Sequence, residues 1–154
     1  MIKRKKKNHV NINNTTNSVK EDTNIEYGDP AIGLANDPLT ERIIRCCYKV
    51  HNALGSGLVE RIYRNALMLE LKNSGLKAKQ EQSFTAHYDG FPVGKFFADI
   101  VVEDKIILEI KAIGSILPFS AKYQILSCLK ASGLKRALLI NFGSLSCRVQ
   151  RFVF

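Results

Sequence analysis

Phe96-Phe97-Ala98-Asp99-Ile100-Val101-Val102-Glu103-Asp104-Lys105-Ile106-Ile107-Leu108-Glu109-Ile110-Lys111 is the stretch from which the rest of the chain is read. Its two apolar runs are β-rich and meet at Asp104, which predicts an antiparallel hairpin of Gly94 to Glu103 against Lys105 to Ala112. With the turn centred on Asp104, residues whose numbers add to 208 stand opposite each other, so Asp99 faces Glu109. The side-chain period of two then places Lys111 on the face of Glu109, one step further along. Charges inside such apolar strands are costly unless paired. Two opposed carboxylates repel each other unless a cation lies between them. A hard divalent ion, Mg2+ or Mn2+, suits one or two carboxylates completed by water and phosphate oxygens. A neighbouring ammonium can orient an attacking water and stabilise charge developing on a phosphate. The plain alternative is a structural ion pair of Glu109 and Lys111 on a half-exposed strand face.

The pattern on either side supplies the layers. Asp37-Pro38 is an N-cap followed by a first-turn proline, and Ile43, Ile44, Cys47, Val50 and Leu54 recur at helical spacing until Gly55-Ser56-Gly57. A second helix is expected from about Leu58 to Lys72, with Leu58, Ile62, Ala66 and Leu69 as its apolar stripe, ended by Gly75. Gln80 to Tyr88 alternates up to the Asp89-Gly90 turn. After the hairpin, Pro118 precedes a third helix of about Phe119 to Ala131, and two strands are expected at Ala137 to Phe142 and Cys147 to Val153. Helices, a three-strand meander, a helix and two strands imply an α/β fold with a mixed β-sheet flanked by helices.

A chain of 154 residues, 45% hydrophobic and 24% charged, can bury one core and is neither collagen-like, wholly disordered nor a disulfide scaffold. Residues 1–38 read as a disordered basic and Asn-rich arm, beginning with the block Lys3 to Lys7, and 39–154 as the folded domain. The arm has six Lys or Arg against five acids, so the net charge of +9 belongs mostly to the domain. That excess favours polyanions. No apolar run suits a membrane span or signal peptide, so the chain is expected to be soluble and unsecreted. Cys46, Cys47, Cys128 and Cys147 form no CxxC pair and are expected to be reduced thiols packed as small hydrophobes. His9, His51 and His87 are too dispersed for a zinc site.

Glu60, Tyr63 and Leu67 share a helical face, so Glu60 can project towards the sheet, unless it only complements the helix dipole. Here the residues carry a resemblance. Gly57-Leu58-Val59-Glu60-Arg61-Ile62-Tyr63 resembles the signature of the GxxExxY family, a branch of the PD-(D/E)XK nuclease superfamily. Val50-His51, Leu54-Gly55, Gln82, Tyr88-Asp89-Gly90, Ala98-Asp99, Leu108-Glu109-Ile110-Lys111-Ala112, Gln124, Leu129-Lys130, Asn141-Phe142-Gly143 and Arg151 continue it, over about Leu39 to Val153. The resemblance implies a restriction-endonuclease-like core in which Asp99 and Glu109 bind a divalent metal and Lys111 assists the nucleophilic water. Glu60 would add a third carboxylate to the metal, and Gln124 a polar active-site group. The chain departs from the family pattern at Ala98, Ala121 and Cys128, where proline, histidine and tyrosine are frequent.

Residue chemistry and resemblance together predict a Mg2+- or Mn2+-dependent nuclease. The alternative is a non-catalytic nucleic-acid- or protein-binding module on the same fold. The expected partner is nucleic acid, DNA ahead of RNA, with a homodimer as a further option and no membrane. The expected compartment is the cytoplasm, or the nucleus in a eukaryote through the Lys3 to Lys7 block. Arg61, Arg64, Lys95, Lys122 and Lys130 are collectively candidates for phosphate contacts, while Tyr88, Phe96 and Phe97 read as core or sheet-surface aromatics rather than a base-stacking platform.

Overall fold

The computed structural model describes residues 37–114 and 116–154. The arm expected over 1–38 lies, up to residue 36, outside the described residues. The helix α1 (Pro38–Leu54) starts where the sequence places it: the Asp37 side chain accepts from the Leu39 N–H, and Pro38 takes the first turn. Its apolar positions Ile43, Ile44, Cys47 and Val50 are buried, while Leu54 stays partly exposed at the last turn.

Helix α2 (Glu60–Asn73) follows, then strands β1 (Ala78–Tyr88), β2 (Phe91–Val102) and β3 (Ile106–Lys111), helix α3 (Phe119–Ser132), and strands β4 (Arg136–Asn141) and β5 (Arg148–Val153). The five strands lie in sequence order in one sheet. β3 and β4 are parallel, joined by α3 as the crossover, and the other neighbours are antiparallel. This is the mixed α/β architecture of a restriction-endonuclease-like core. Ile106, Leu108, Ile110, Leu138 and Ile140 point to the side of α1 and α2, where they meet Tyr63, Leu67 and Leu71. Ile107, Ala137 and Leu139 point to the other side and meet Ala121, Ile125 and Leu129 of α3. Burial on both faces is why β3 and β4 read as almost unbroken apolar runs. Each such fully buried side chain contributes about 1.5–3 kcal/mol. Among the described residues no helix is long and apolar enough to cross a membrane.

One expectation needs correction. The apolar stripe of α2 is Tyr63, Leu67 and Leu71, one step round from the expected one, and Leu58, Ile62 and Leu69 are exposed. Tertiary contacts to Tyr63, described below, choose the buried face. Tyr88 and Phe97 are sheet-surface aromatics, 72% and 59% exposed, because the outer part of the β1–β2 ribbon runs past the body of the sheet with one face uncovered. Phe96 does pack against the α3 cluster. The four cysteines are buried and free, as expected. Burial raises the thiols of Cys47, Cys128 and Cys147, leaving them packing groups rather than nucleophiles.

Candidate active site

The register of the central hairpin follows from its turn. Glu103 and Asp104 both adopt left-handed backbone conformations, and the Lys105 N–H closes the turn on the Val102 carbonyl. Ile100 pairs with Leu108, Val101 with Ile107 and Val102 with Ile106, all on the expected sum. The ladder stops there, and the strands separate at the Asp99–Glu109 level. The Asp99 carboxylate sits at this opening: its Oδ2 accepts from the Ile110 N–H at 2.8 Å.

Beside it, Lys111 Nζ stands 2.7 Å from Glu109 Oε1. This ion pair is buried, not half-exposed: the side chains are 16% and 2% accessible. Glu109 Oε2 has no hydrogen-bond partner among the described residues although it too is buried. Burial raises the Glu109 carboxyl to about 7, the negative charges of Asp99 and Glu60 add to it, and the Lys111 ammonium only partly offsets them. Burial alone would lower the Lys111 ammonium, but its hydrogen bond to Glu109 and the surrounding carboxylates raise it on balance. Burial followed by the Glu109 and Asp99 charges raises the Cys128 thiol to about 11, so α3 passes close to both carboxylates.

Glu60 reaches the same place from the first turn of α2, where its Oε1 accepts from the Ala112 N–H at a long 3.4 Å. The residues of the signature explain how α2 is held there. The Tyr63 hydroxyl accepts from the Leu58 N–H and donates to the Gly55 carbonyl, fastening the loop that precedes the helix. Its ring stacks on Phe142 with centroids 4.7 Å apart and planes 5° from parallel. The far side of the opening is clamped by Asn141, whose side-chain amide exchanges both hydrogen bonds with the Ile113 backbone and also accepts from the Gly143 N–H. A Cβ at position 143 would run into the backbone of Ala112 and Ile113, so only glycine lets β4 approach the end of β3 so closely.

Arg64, named in the sequence only among general phosphate candidates, joins this cluster directly. Its guanidinium lies 3.1 Å from Asp99 Oδ1 and 2.9 Å from Glu81. Glu81 has a left-handed backbone (φ 53°), and the β1–β2 ladder runs from Gln80↔Ile100 to Gln82↔Ala98 without a Glu81–Asp99 rung. No sequence signal marks that break. Gln124 is exposed on α3, one turn before Cys128, and makes no hydrogen bond or ion pair among the described residues. An open groove of about 690 Å³, lined in part by Met68, Leu76, Lys77 and Asp104, contains none of these groups.

Asp99, Glu109, Glu60 and Lys111 thus lie near one another at the opening between β2 and β3. A model of the PD-(D/E)XK nuclease superfamily matches residues 37–152. The chain belongs to the PD-(D/E)XK nuclease superfamily. The crystal structure of the protein SSO0001 is similar in fold, with a TM-score of 0.52 and 20% identity, over 61% of this chain and 50% of that one. This chain therefore spans about half of SSO0001. No curated protein matches it.

The donor set fits a divalent cation. It offers hard carboxylate oxygens, one of them, Glu109 Oε2, buried and unsatisfied, while Lys111 pairs with the other Glu109 oxygen and Arg64 with Asp99. Among the described residues no group of three or more His, Cys, Asp or Glu side chains is placed to hold a metal ion. Mg2+ does not require one, since it retains water and takes phosphate oxygens.

Proposed function

We propose that this PD-(D/E)XK superfamily member is a divalent-metal-dependent nuclease that hydrolyses nucleic-acid phosphodiester bonds, with DNA ahead of RNA as substrate. Residues 39–154 form the nuclease-like domain in this reading, with 1–38 as an arm, and the GxxExxY residues favour that branch of the superfamily. The observation that carries it is Glu109: a buried carboxylate with an unsatisfied Oε2, beside Asp99 and in contact with Lys111. Asp99 and Glu109 would hold Mg2+ or Mn2+, with Glu60 contributing from α2. When bound, such an ion polarises a phosphate oxygen and makes water more acidic.

The chain's own groups supply the remainder. Glu109 holds the Lys111 ammonium by a 2.7 Å hydrogen bond, so that a fixed positive charge faces the opening where negative charge develops on the phosphate. The Ile110 N–H holds Asp99 and the Ala112 N–H steadies Glu60, which limits side-chain motion when substrate arrives. Basic residues of the domain supply phosphate contacts.

The test is incubation of the purified chain with labelled single- and double-stranded DNA and RNA, with Mg2+, with Mn2+ and with chelator. Cleavage should need the ion and be lost in Asp99→Ala and Glu109→Ala. Lys111→Ala should keep ion binding and lose most of the rate, while Glu60→Gln should lose part of it. Cleavage that survives all four substitutions would refute the assignment.

A further inference from the structure

The outer β1–β2 ribbon holds the best-defined surface outside the carboxylate cluster. Side-chain alternation breaks at the skipped Glu81–Asp99 level. Ile100 and Val102 join the core beneath α1 and α2, whereas Phe96 and Ala98, of the same parity, join the core beneath α3. β1 changes sides with it, from Ala78 on the first core to Phe84 on the second. Beyond the break, the cross-strand pairs Ser83↔Phe97 and Thr85↔Lys95 therefore occupy the face turned away from α3. Ser83, Lys95 and Phe97 are exposed there, and Phe97 lies two residues from Asp99.

We propose that this face is the track for the substrate strand, and that Phe97 stacks on an unpaired base next to the phosphate at the carboxylate cluster. The proposal rests on the nuclease reading and narrows its substrate to a nucleic acid that is single-stranded at the point of attack. An aromatic ring can stack only on a base whose face is open, which an intact duplex hides. Lys95 on the face and Arg61 beside its root are exposed cations, while Arg64 at the root is shared between Glu81 and Asp99. Ser83 and Thr85 add hydroxyl donors for phosphate or sugar oxygens. The ribbon ends in the exposed aromatic pair Tyr88 and Phe91, which lengthens the surface available to further bases.

The chain contains no tryptophan, so Phe97→Trp introduces a single fluorescent reporter at the position of the proposed stack. In chelator, which prevents turnover, single-stranded oligothymidylate or its RNA counterpart should quench that emission saturably, with blunt duplex far less effective. The DNA and RNA arms rank the two substrates. Phe97→Ala should bind single strands roughly tenfold more weakly by anisotropy, the loss expected for one base–aromatic stack, and leave duplex binding unchanged. Oligonucleotide binding by anisotropy without quenching overturns the track but not the nuclease. Quenching without metal-dependent cleavage overturns the nuclease but leaves the binding surface. Emission that follows protein concentration and ignores oligonucleotide makes this face a contact between copies and also overturns the proposal.

Discussion

The two hairpins that share β2 behave oppositely. In the inner one, β2–β3, both faces are covered, the register runs over three rungs, and the charged side chains at its open end are buried beside one another. In the outer ribbon, seven of the ten β1–β2 residue pairs, from Gln82↔Ala98 to Tyr88↔Phe91, lie beyond the β2–β3 ladder, and aromatic side chains stand in solvent. The same strand thus borders a buried charged cluster at one end and an open surface at the other. Burial gives the charges their chemistry, since desolvation and proximity make Glu109 poorly satisfied without a further cation. Exposure leaves the ribbon free to recognise a ligand.

The largest difference between the two should be in stability. Leu108→Ala, in the fully buried inner hairpin, should cost about 3–4 kcal/mol by denaturant titration. Phe97→Ala should cost under about 1 kcal/mol. Similar losses at the two positions would mean that the ribbon is packed as tightly as the hairpin.

The next effect is a pH dependence confined to the inner hairpin. The Glu109 carboxyl is raised to about 7 from its ordinary 4.5, so the folded chain holds that proton more tightly than the unfolded chain. The stability it contributes is therefore fully present below pH 4.5 and is lost as pH rises through about 7, on the order of 3 kcal/mol at most. In chelator, melting temperature should fall across that window. Glu109→Gln, which cannot ionise, should remove that slope, and an unchanged slope would assign it to other groups.

The smallest effect lies where the two hairpins join. Arg64→Gln removes the cation shared by Asp99 and Glu81, whose partly exposed pairs place the cost between surface and buried limits, about 1–2 kcal/mol. Guanidinium denaturation of the variant measures it. A loss below a few tenths would show that solvent already screens the pair.

The inner hairpin was legible because each of its features has a local cause. A tight turn fixes the register, apolar runs mark strands covered on both faces, and charges inside such runs are costly enough to signal a purpose. Glu60 was legible through its spacing to Tyr63 and Leu67. The stripe of α2 was misread because apolar residues occur nearly all round that helix. Stacking of Tyr63 on Phe142 and its hydrogen bond to Gly55 select the buried face, and both are contacts the sequence does not display. Arg64 and Glu81 were illegible for a similar reason: a left-handed glutamate within a strand and a skipped rung arise from the close meeting of α2 with two strands. The exposure of Phe97 depends on that same break.

Direct titration of Mg2+ and Mn2+ into the chain by calorimetry, with and without an oligonucleotide, is the most direct test, because the buried Glu109 carboxylate beside Asp99 has an unsatisfied oxygen. The account predicts saturable binding that Asp99→Ala and Glu109→Ala each abolish and Lys111→Ala largely retains. Failure of either ion to bind under both conditions would contradict it.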